Sequence, residues 1–433
     1  MNEGPQTQAR KIFAESSQYL VGGVTAGARS TPLFDTPFFA ERAAGSRITD
    51  VDGKTYLDLH TSFGAALLGH GHPRITAAVQ EALAKGILCA FEVEASGIAA
   101  RKLVEMLPCA ERVRFSGTGT ETTYQVIKLA RAFTGKDVVI KFEGHFHGFN
   151  DYLQYNYWPP REAGLPALHL ESAGALAEMS QHIIVLPFND VDALERTIRA
   201  RKDEIAAVIL EPVNFNSGGI RSRPDFLQAL RTLTTDHNIV LIFDEILSGF
   251  RTGPGCMQAY LGVTPDLCTI GKALGGGLPL SAFAGRAEIM DLLTPVGKVV
   301  HTGTYLAHPT AIFACNAFLD EISRPEFWPD LLNRSERLYA GLRQIIAHRG
   351  VKCLLQATGA RFCLLFGLET EPENYRMVVD ARDTEQNGRF VQLAMENGVF
   401  AWMGYHHGIS ASHTDADVDA ILERLDTVMR RIA

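Results

Sequence analysis

The sequence predicts an α/β protein: a mostly parallel seven-stranded sheet covered by helices, with a smaller α+β unit assembled from both ends of the chain. Two observations carry this expectation. Seven short apolar runs, RVRF, VVIKF, HIIVLP, IAAVILEP, NIVLIFDE, LCTIG and SAFAG, alternate with segments of helical periodicity between residues 112 and 285, as strands buried on both faces do. The residues equipped for chemistry also follow the ends of those runs, where open α/β sheets collect ligands.

Taken in order, residues 1–60 read as a helical start, a loop, and a β-hairpin in TDVDGKTYLDL, whose Asp52-Gly53 pair marks the turn. They form the N-terminal part of the small unit. His72 to Gly86 is helical and opens the large unit, residues 61–315, which holds the seven runs. After HTGTYLAHP a long helical stretch from Thr310 to about Gly350 leads into KCLLQATGARFCLLFG, read as strands of a second sheet. Residues 316–433 complete the small unit and end in an amphipathic helix from Asp415 to Arg431. No internal repeat or low-complexity tract interrupts this order.

With 433 residues, 46% of them hydrophobic and 21% charged, the chain is long enough for one large domain and one smaller one. A net charge of -8 without basic clusters argues against nucleic acid and in favour of a small-molecule partner. Seven cysteines, an odd number without any C-x-x-C, support neither a disulfide framework nor a zinc site and point to a reducing compartment. MNEGPQTQARK has no apolar signal core, and no run is long enough to cross a bilayer, so a cytoplasmic protein is expected.

Two segments carry the chemistry. IVLIFDEILSGFR places Asp244 at the end of a buried run, and DLCTIGKALGGGLPLS places Lys272 before a glycine cluster. A carboxylate and a lysine delivered from strand ends are what pyridoxal phosphate chemistry requires. One stays against the protonated ring nitrogen and keeps it charged; the other forms the Schiff base. Lys272 must be neutral for this, whereas an exposed lysine amine has a pKa of about 10.4, so burial beside the cofactor is expected.

Three further strand ends fit the same reading. RVRFSGTGTETT runs from a strand into a helix, and the amides and hydroxyls at Gly119 and Thr120 form an anion site suited to the cofactor phosphate. A plain helix cap at Thr118 or Thr120 is the alternative. VVIKFEGHFHGF presents Phe146 as a flat apolar partner for a pyridine ring. His145 and His147 are read as structural, with no third ligand for a metal. IAAVILEPVNFNSGG puts Glu211 at a strand end near Asn216, either orienting a group beside the ring or sitting in a buried ion pair.

With these residues together, the chain resembles the class III pyridoxal-phosphate-dependent aminotransferases of fold type I. The likeness extends from VGGVTAGAR through LGHGHP, SGTGTETT, EGHFHG, LEPV, FDEILSGFR and TIGKALGGGLP to GTYLAHP. Within that class it is similar to the glutamate-1-semialdehyde aminomutase subgroup, which includes aminotransferases of aromatic and β-amino acids. The resemblance implies that Lys272 holds the cofactor and shuttles the proton, Asp244 pairs with the ring nitrogen, Phe146 stacks on the ring, and Gly119 and Thr120 bind phosphate. Thr304 is implied to complete the phosphate site of a neighbouring subunit, which makes a homodimer with shared sites the expected assembly. Arg29 stands where members of the subgroup carry an arginine that clamps the substrate carboxylate.

One departure concerns the substrate. VFAWMGYHHGIS carries neither the acidic residue of the aminomutase nor the arginine of some amino acid aminotransferases. Trp402, Tyr405 and His406 or His407, joined by Phe63 and Tyr305, are expected to shape a pocket for an apolar or aromatic group, with core packing as the alternative. The expected activity is a ping-pong amino transfer from a carboxylate-bearing donor, aromatic or β-amino in type, to an oxo acid. An intramolecular aminomutase or a racemase on the same fold is the first alternative, and a cofactor-binding scaffold without turnover the second.

Overall fold

The computed structural model describes residues 7–402 and 406–433. All seven apolar runs become strands of one sheet: β1 (Arg112–Ser116), β2 (Val138–Phe142), β3 (Ile183–Leu186), β4 (Ile205–Leu210), β5 (Val240–Glu245), β6 (Leu267–Ile270) and β7 (Ser281–Gly285). Their spatial order is β1-β7-β6-β5-β4-β2-β3. Only β7 runs antiparallel to its neighbours, β6 and β1. The remaining neighbours pair in parallel.

Strands β2, β4, β5, β6 and β7 bury every residue, which explains their unbroken apolar character. One face packs Val139, Ile209, Ile242, Leu267 and Phe283 against Val126, Ile127 and Ala130 of helix α1 (Gly119–Thr134). On the other face, Phe142, Leu210 and Phe243 meet Phe226 and Leu230 of the helix Pro224–Asp236. Helix α1 starts where it does because Thr118 caps it. The Thr118 hydroxyl accepts the Glu121 N–H, and the Glu121 carboxylate accepts the N–H groups of Thr118 and Gly117. It ends at Gly135, whose φ of 69° suits a glycine.

Smaller sheets are assembled from segments near both ends of the chain. Strands Ala40–Ala44, Arg47–Asp50 and Thr55–Asp58 form an antiparallel meander whose hairpin turns at Asp52-Gly53, as expected. Val399–Phe400 adds in parallel to Thr55–Asp58. A second sheet pairs Cys353–Thr358, Arg361–Phe366 and His406–Gly408. The single helical stretch expected from Thr310 to Gly350 is instead two helices, Pro309–Ile322 and Phe327–Arg349. Pro325 separates them: it has no N–H to donate, and it disfavours helical backbone at Arg324 before it. The first of the two runs across residue 315, where the sequence reading ended the large unit. Among the described residues, no helix is long and apolar enough to cross a membrane.

Asp417, 3% exposed in the first turn of the helix Asp415–Ile432, fastens the two ends together. Its carboxylate accepts from the Thr414 N–H at 2.9 Å, the Ser46 hydroxyl at 3.0 Å and the Arg47 guanidinium at 2.6 Å. Burial opposes ionisation here, but these bonds outweigh it and hold the carboxyl below its ordinary pKa. A lowered carboxyl pKa contributes stability above the unfolded value and loses it as pH falls through the folded one. Asp417→Ala is therefore expected to cost about 2 kcal/mol at neutral pH, and the gap to the parent protein should close as urea unfolding is repeated toward pH 3.

Candidate active site

The residues singled out for chemistry converge at the carboxyl ends of β4, β5 and β6. Asp244 is the penultimate residue of β5 and pairs in register with Thr269 of β6. Glu211 follows Leu210, the partner of Phe243, and so lies one strand over from Asp244. Lys272 leaves β6 through Gly271 in a short 3-10 turn. Its φ of 45° is unusual for a residue with a side chain. Such backbone strain costs on the order of 1–3 kcal/mol and persists where the surroundings over-determine it. Here a Cβ on Gly271 would come within 2.9 Å of Ile246 and 3.3 Å of Ser281, so the chain passes between fixed neighbours.

Asp244 is 4% exposed and receives three hydrogen bonds. Oδ1 accepts from the Thr269 hydroxyl at 3.0 Å and the Ile246 N–H at 3.1 Å; Oδ2 accepts from His147 Nδ1 at 2.7 Å. A carboxylate has roughly four acceptor positions, so one stays open for a further N–H. With Nδ1 donating, His147 presents Nε2 as an acceptor, and that atom is buried without a partner. Burial holds this imidazole below its ordinary pKa despite the adjacent carboxylate.

Lys272 is partly buried, and desolvation pushes its amine down to about 8 against the opposing pull of Glu211 and Asp244. Glu211 moves the other way, to about 8, through burial and then through Asp244 beside it. Its Oε1 accepts the Phe146 N–H at 2.8 Å and its Oε2 the Asn216 amide at 3.0 Å. Glu211 thus anchors the loop bearing Phe146, and its own N–H donates to His145 Nδ1 at 3.0 Å.

These groups line a cavity of about 520 Å³ together with Gly117, Gly119, Thr120, Gly148 and Ser281. Gly148 has φ 87°, and a Cβ there would meet the Thr120 hydroxyl at 2.5 Å and its Cα at 2.9 Å. The loop after β2 therefore lies flat on the start of α1. Thr118 does cap the helix, and Gly119 and Thr120 still line the cavity, so the cap does not exclude an anion at this helix start. Phe146 lies parallel to Trp158, ring centres 5.7 Å apart at 9°. Pyridoxal phosphate fits this donor set: an amine poised to be neutral, an anion with an open acceptor position, an aromatic wall and a helix N-terminus.

The structure does not bring every expected residue here. Arg29 is exposed in the turn Gly27–Arg29, held by the Thr25 hydroxyl. Trp402 is buried among Phe34, Phe400 and Tyr56 and lines a different cavity, of about 530 Å³. Its indole donates to Ala28 O at 3.1 Å. Phe63 packs edge-on against His60, centres 4.1 Å apart. Thr304 is exposed and Tyr305 is 72% exposed, both outside the cavity of their own chain. Tyr405 lies outside the described residues. Sequence reasoning did not assign Thr269 or His147 to Asp244, because these contacts form across strands; strand register alone would have found Thr269. Among the described residues, no group of three or more His, Cys, Asp or Glu could hold a metal ion.

Comparison with known proteins shows the family of the chain. The family description "Aminotransferase class-III" matches residues 29–426. Glutamate-1-semialdehyde 2,1-aminomutase of Laribacter hongkongensis is 38% identical over 429 residues, covering 98% of this chain and 99% of the relative. Among solved structures, an omega-transaminase from Sphaerobacter thermophilus superposes with TM-score 0.94 at 31% identity, covering 99% of this chain and 98% of the other. A β-phenylalanine aminotransferase from Variovorax paradoxus gives 0.86 at 28%, covering 97% and 93%. A structure described as a transaminase with PLP bound shares the fold, with TM-score 0.89 at 23% identity over 98% and 97%. The chain belongs to the class III aminotransferases, with pyridoxal phosphate as its cofactor.

Proposed function

We propose that the protein is an aminotransferase working in two half-reactions: an amino donor gives up its amino group and leaves as an oxo product, and an oxo acid then receives that group. The observation that carries this reading is one cavity holding both an amine pushed down to about 8 by desolvation and a carboxylate fixed by three donors. Pyridoxal phosphate supplies the electron sink for bond breaking at the substrate carbon. Lys272 Nζ takes the proton from that carbon and returns it two bonds away, a transfer that works best when the amine's pKa lies near the working pH. Asp244 presents a fixed negative charge, and Thr269 and His147 hold it in place. Gly119 and Thr120 bind phosphate, Phe146 supplies the aromatic wall, and Glu211 positions Phe146.

Arg29 is proposed as a carboxylate clamp, on a turn tied to Trp402 through Ala28. Phe63 and Tyr305 are proposed to favour an aromatic or β-amino acid, a reading supported by the resemblance to the Variovorax β-phenylalanine aminotransferase. Exposed Thr304 and Tyr305, with Val300 at 55% and Phe149 at 67% exposed, support a homodimer in which Thr304 reaches the partner's phosphate site. The seven free cysteines support a reducing cytoplasm. The name of the Laribacter relative favours a second reading, an aminomutase, which releases no free oxo product.

A donor screen that follows cofactor absorbance and assays free oxo acid separates the two: release of oxo acid stoichiometric with donor supports transfer, and its absence supports the mutase. Lys272→Ala is expected to lower the half-reaction rate about 1,000-fold or more, and Asp244→Asn about 100-fold. Full activity in the first variant would refute the assignment. The pKa of Lys272 gives a third expectation. Protonated amine cannot attack an aldehyde, so capture of pyridoxal phosphate by apoprotein should speed up as pH rises, with its midpoint near 8. Stopped-flow absorbance between pH 6 and 10.5 measures it; a midpoint above 10 contradicts the burial described here.

A further inference from the structure

Beside the cavity, residues Thr61, Ser62, Phe63 and Gly64 take φ values of 50°, 52°, 54° and 88°. Three successive side-chain-bearing residues in left-handed backbone need a reason, and two arginines supply the scaffold. Arg251 donates from Nη2 to Gly64 O at 2.6 Å and from Nε to Leu247 O at 2.9 Å. Arg361 donates from Nη1 to the Thr61 hydroxyl at 3.1 Å, and its Nη2 meets His406 Nδ1. One nitrogen of each guanidinium lies 2.8 Å from the point a Cβ on Gly64 would occupy, so the two cations face each other across that glycine.

Both arginines are 1% exposed, and among the described residues neither forms an ion pair with a carboxylate. Arg361 Nε is buried with no hydrogen-bond partner. The carboxylate near them, Asp58, is already engaged by His70 Nε2 at 2.7 Å and by the N–H groups of His60 and Thr61. The other neighbours only add positive or neutral groups: His60, His406 and His407, each held below its ordinary pKa first by burial and then by Arg361 among other charges. The field of both guanidinium groups also reaches Lys272, which ties this cluster electrostatically to the reacting amine. Two adjacent buried cations without a counter-charge repel one another and lose hydration, an arrangement that an incoming anion relieves.

We infer that Arg361, backed by Arg251 and His406, is a buried carboxylate subsite that receives a carboxylate group of the substrate on the Lys272 side of the 61–64 turn. A planar guanidinium with an unused Nε–H is matched in shape to a carboxylate. The start of α1, proposed above for phosphate, lines the cavity, as does Ala65, the residue that follows the 61–64 turn. The inference rests on the aminotransferase reading above and goes beyond Arg29, which is exposed and separate from this cluster.

The test compares the cofactor-loaded parent protein with Arg361→Gln and Arg361→Lys. Calorimetric titration with 3-phenylpropanoate and glutarate, which carry no amino or oxo group, should show binding about 30-fold weaker or more in the Gln variant, with partial recovery in the Lys variant. In the half-reaction, the Gln variant should lose at least about 10-fold more kcat/KM for 3-amino-3-phenylpropanoate than for 1-phenylethylamine, which lacks the carboxylate. Without added carboxylate its melting temperature should equal or exceed that of the parent, and it should lose the stabilisation that 3-phenylpropanoate gives the parent. Equal affinities in all three proteins, equal losses for both amines, or a lowered melting temperature with cofactor lost would overturn the inference. A parent protein that binds these carboxylates yet converts no amine would instead refute the aminotransferase reading and leave the subsite standing.

Discussion

Keeping one carboxylate charged in the interior is the constraint around which the rest of the site is organised. Asp244 is nearly inaccessible to water, so its charge must be supported by donors, and each of its three comes from a different part of the chain: the neighbouring strand, the backbone two residues on, and the loop after β2. Each support has its own requirement. Thr269 must be in register with Asp244, and His147 must keep its proton on Nδ1. The loop that carries His147 must in turn lie against α1, which the absent side chain of Gly148 permits.

Charge balance follows from that anion. Glu211, its neighbour in the sheet, cannot easily ionise beside it and is pushed up by burial and by Asp244. It braces Phe146 and Asn216 by accepting a hydrogen bond from each. Lys272 experiences the same low-dielectric surroundings from the other sign and is pushed down. Desolvation therefore moves both groups toward neutrality, while three donors hold the Asp244 carboxylate in place. Burial likewise holds the histidines deeper in the same region, His145 and His147, below their ordinary pKa.

Much of this was legible in the chain itself. The seven apolar runs became strands because a sheet covered on both sides imposes unbroken hydrophobicity, which a sequence displays directly. Asp244, Lys272, Glu211, Gly119, Thr120 and Phe146 could be picked out because each follows such a run, and strand ends are where this architecture gathers ligands. Harder to see was anything decided by pairing between distant segments. Thr269 reads as one more β-former, and Arg361 as an ordinary charged residue within GARFCLLF; only tertiary structure shows the first beside Asp244 and the second buried opposite Arg251. Trp402 shows the same limit in reverse. An aromatic residue in a loop suggests a ligand pocket, yet its ring is taken up by Phe34 and Phe400. Pro325 was visible throughout, and the break it makes between two helices is the kind of local effect that steric rules do settle.

The lone reversed strand, β7, has a consequence for how the molecule comes into being. By inserting between β1 and β6 it sets Ser281 opposite Ser116, so the turn from β1 into α1 and the loop bearing Lys272 become neighbours although a long stretch of chain separates them. Such high contact order makes assembly slow. On the ribosome, a nascent chain that has released only the first six strands holds β1 and β6 with no bridge between them, leaving sticky edges exposed. Competence to capture the cofactor thus arrives late in biosynthesis and all at once, with the final central strand acting as a keystone.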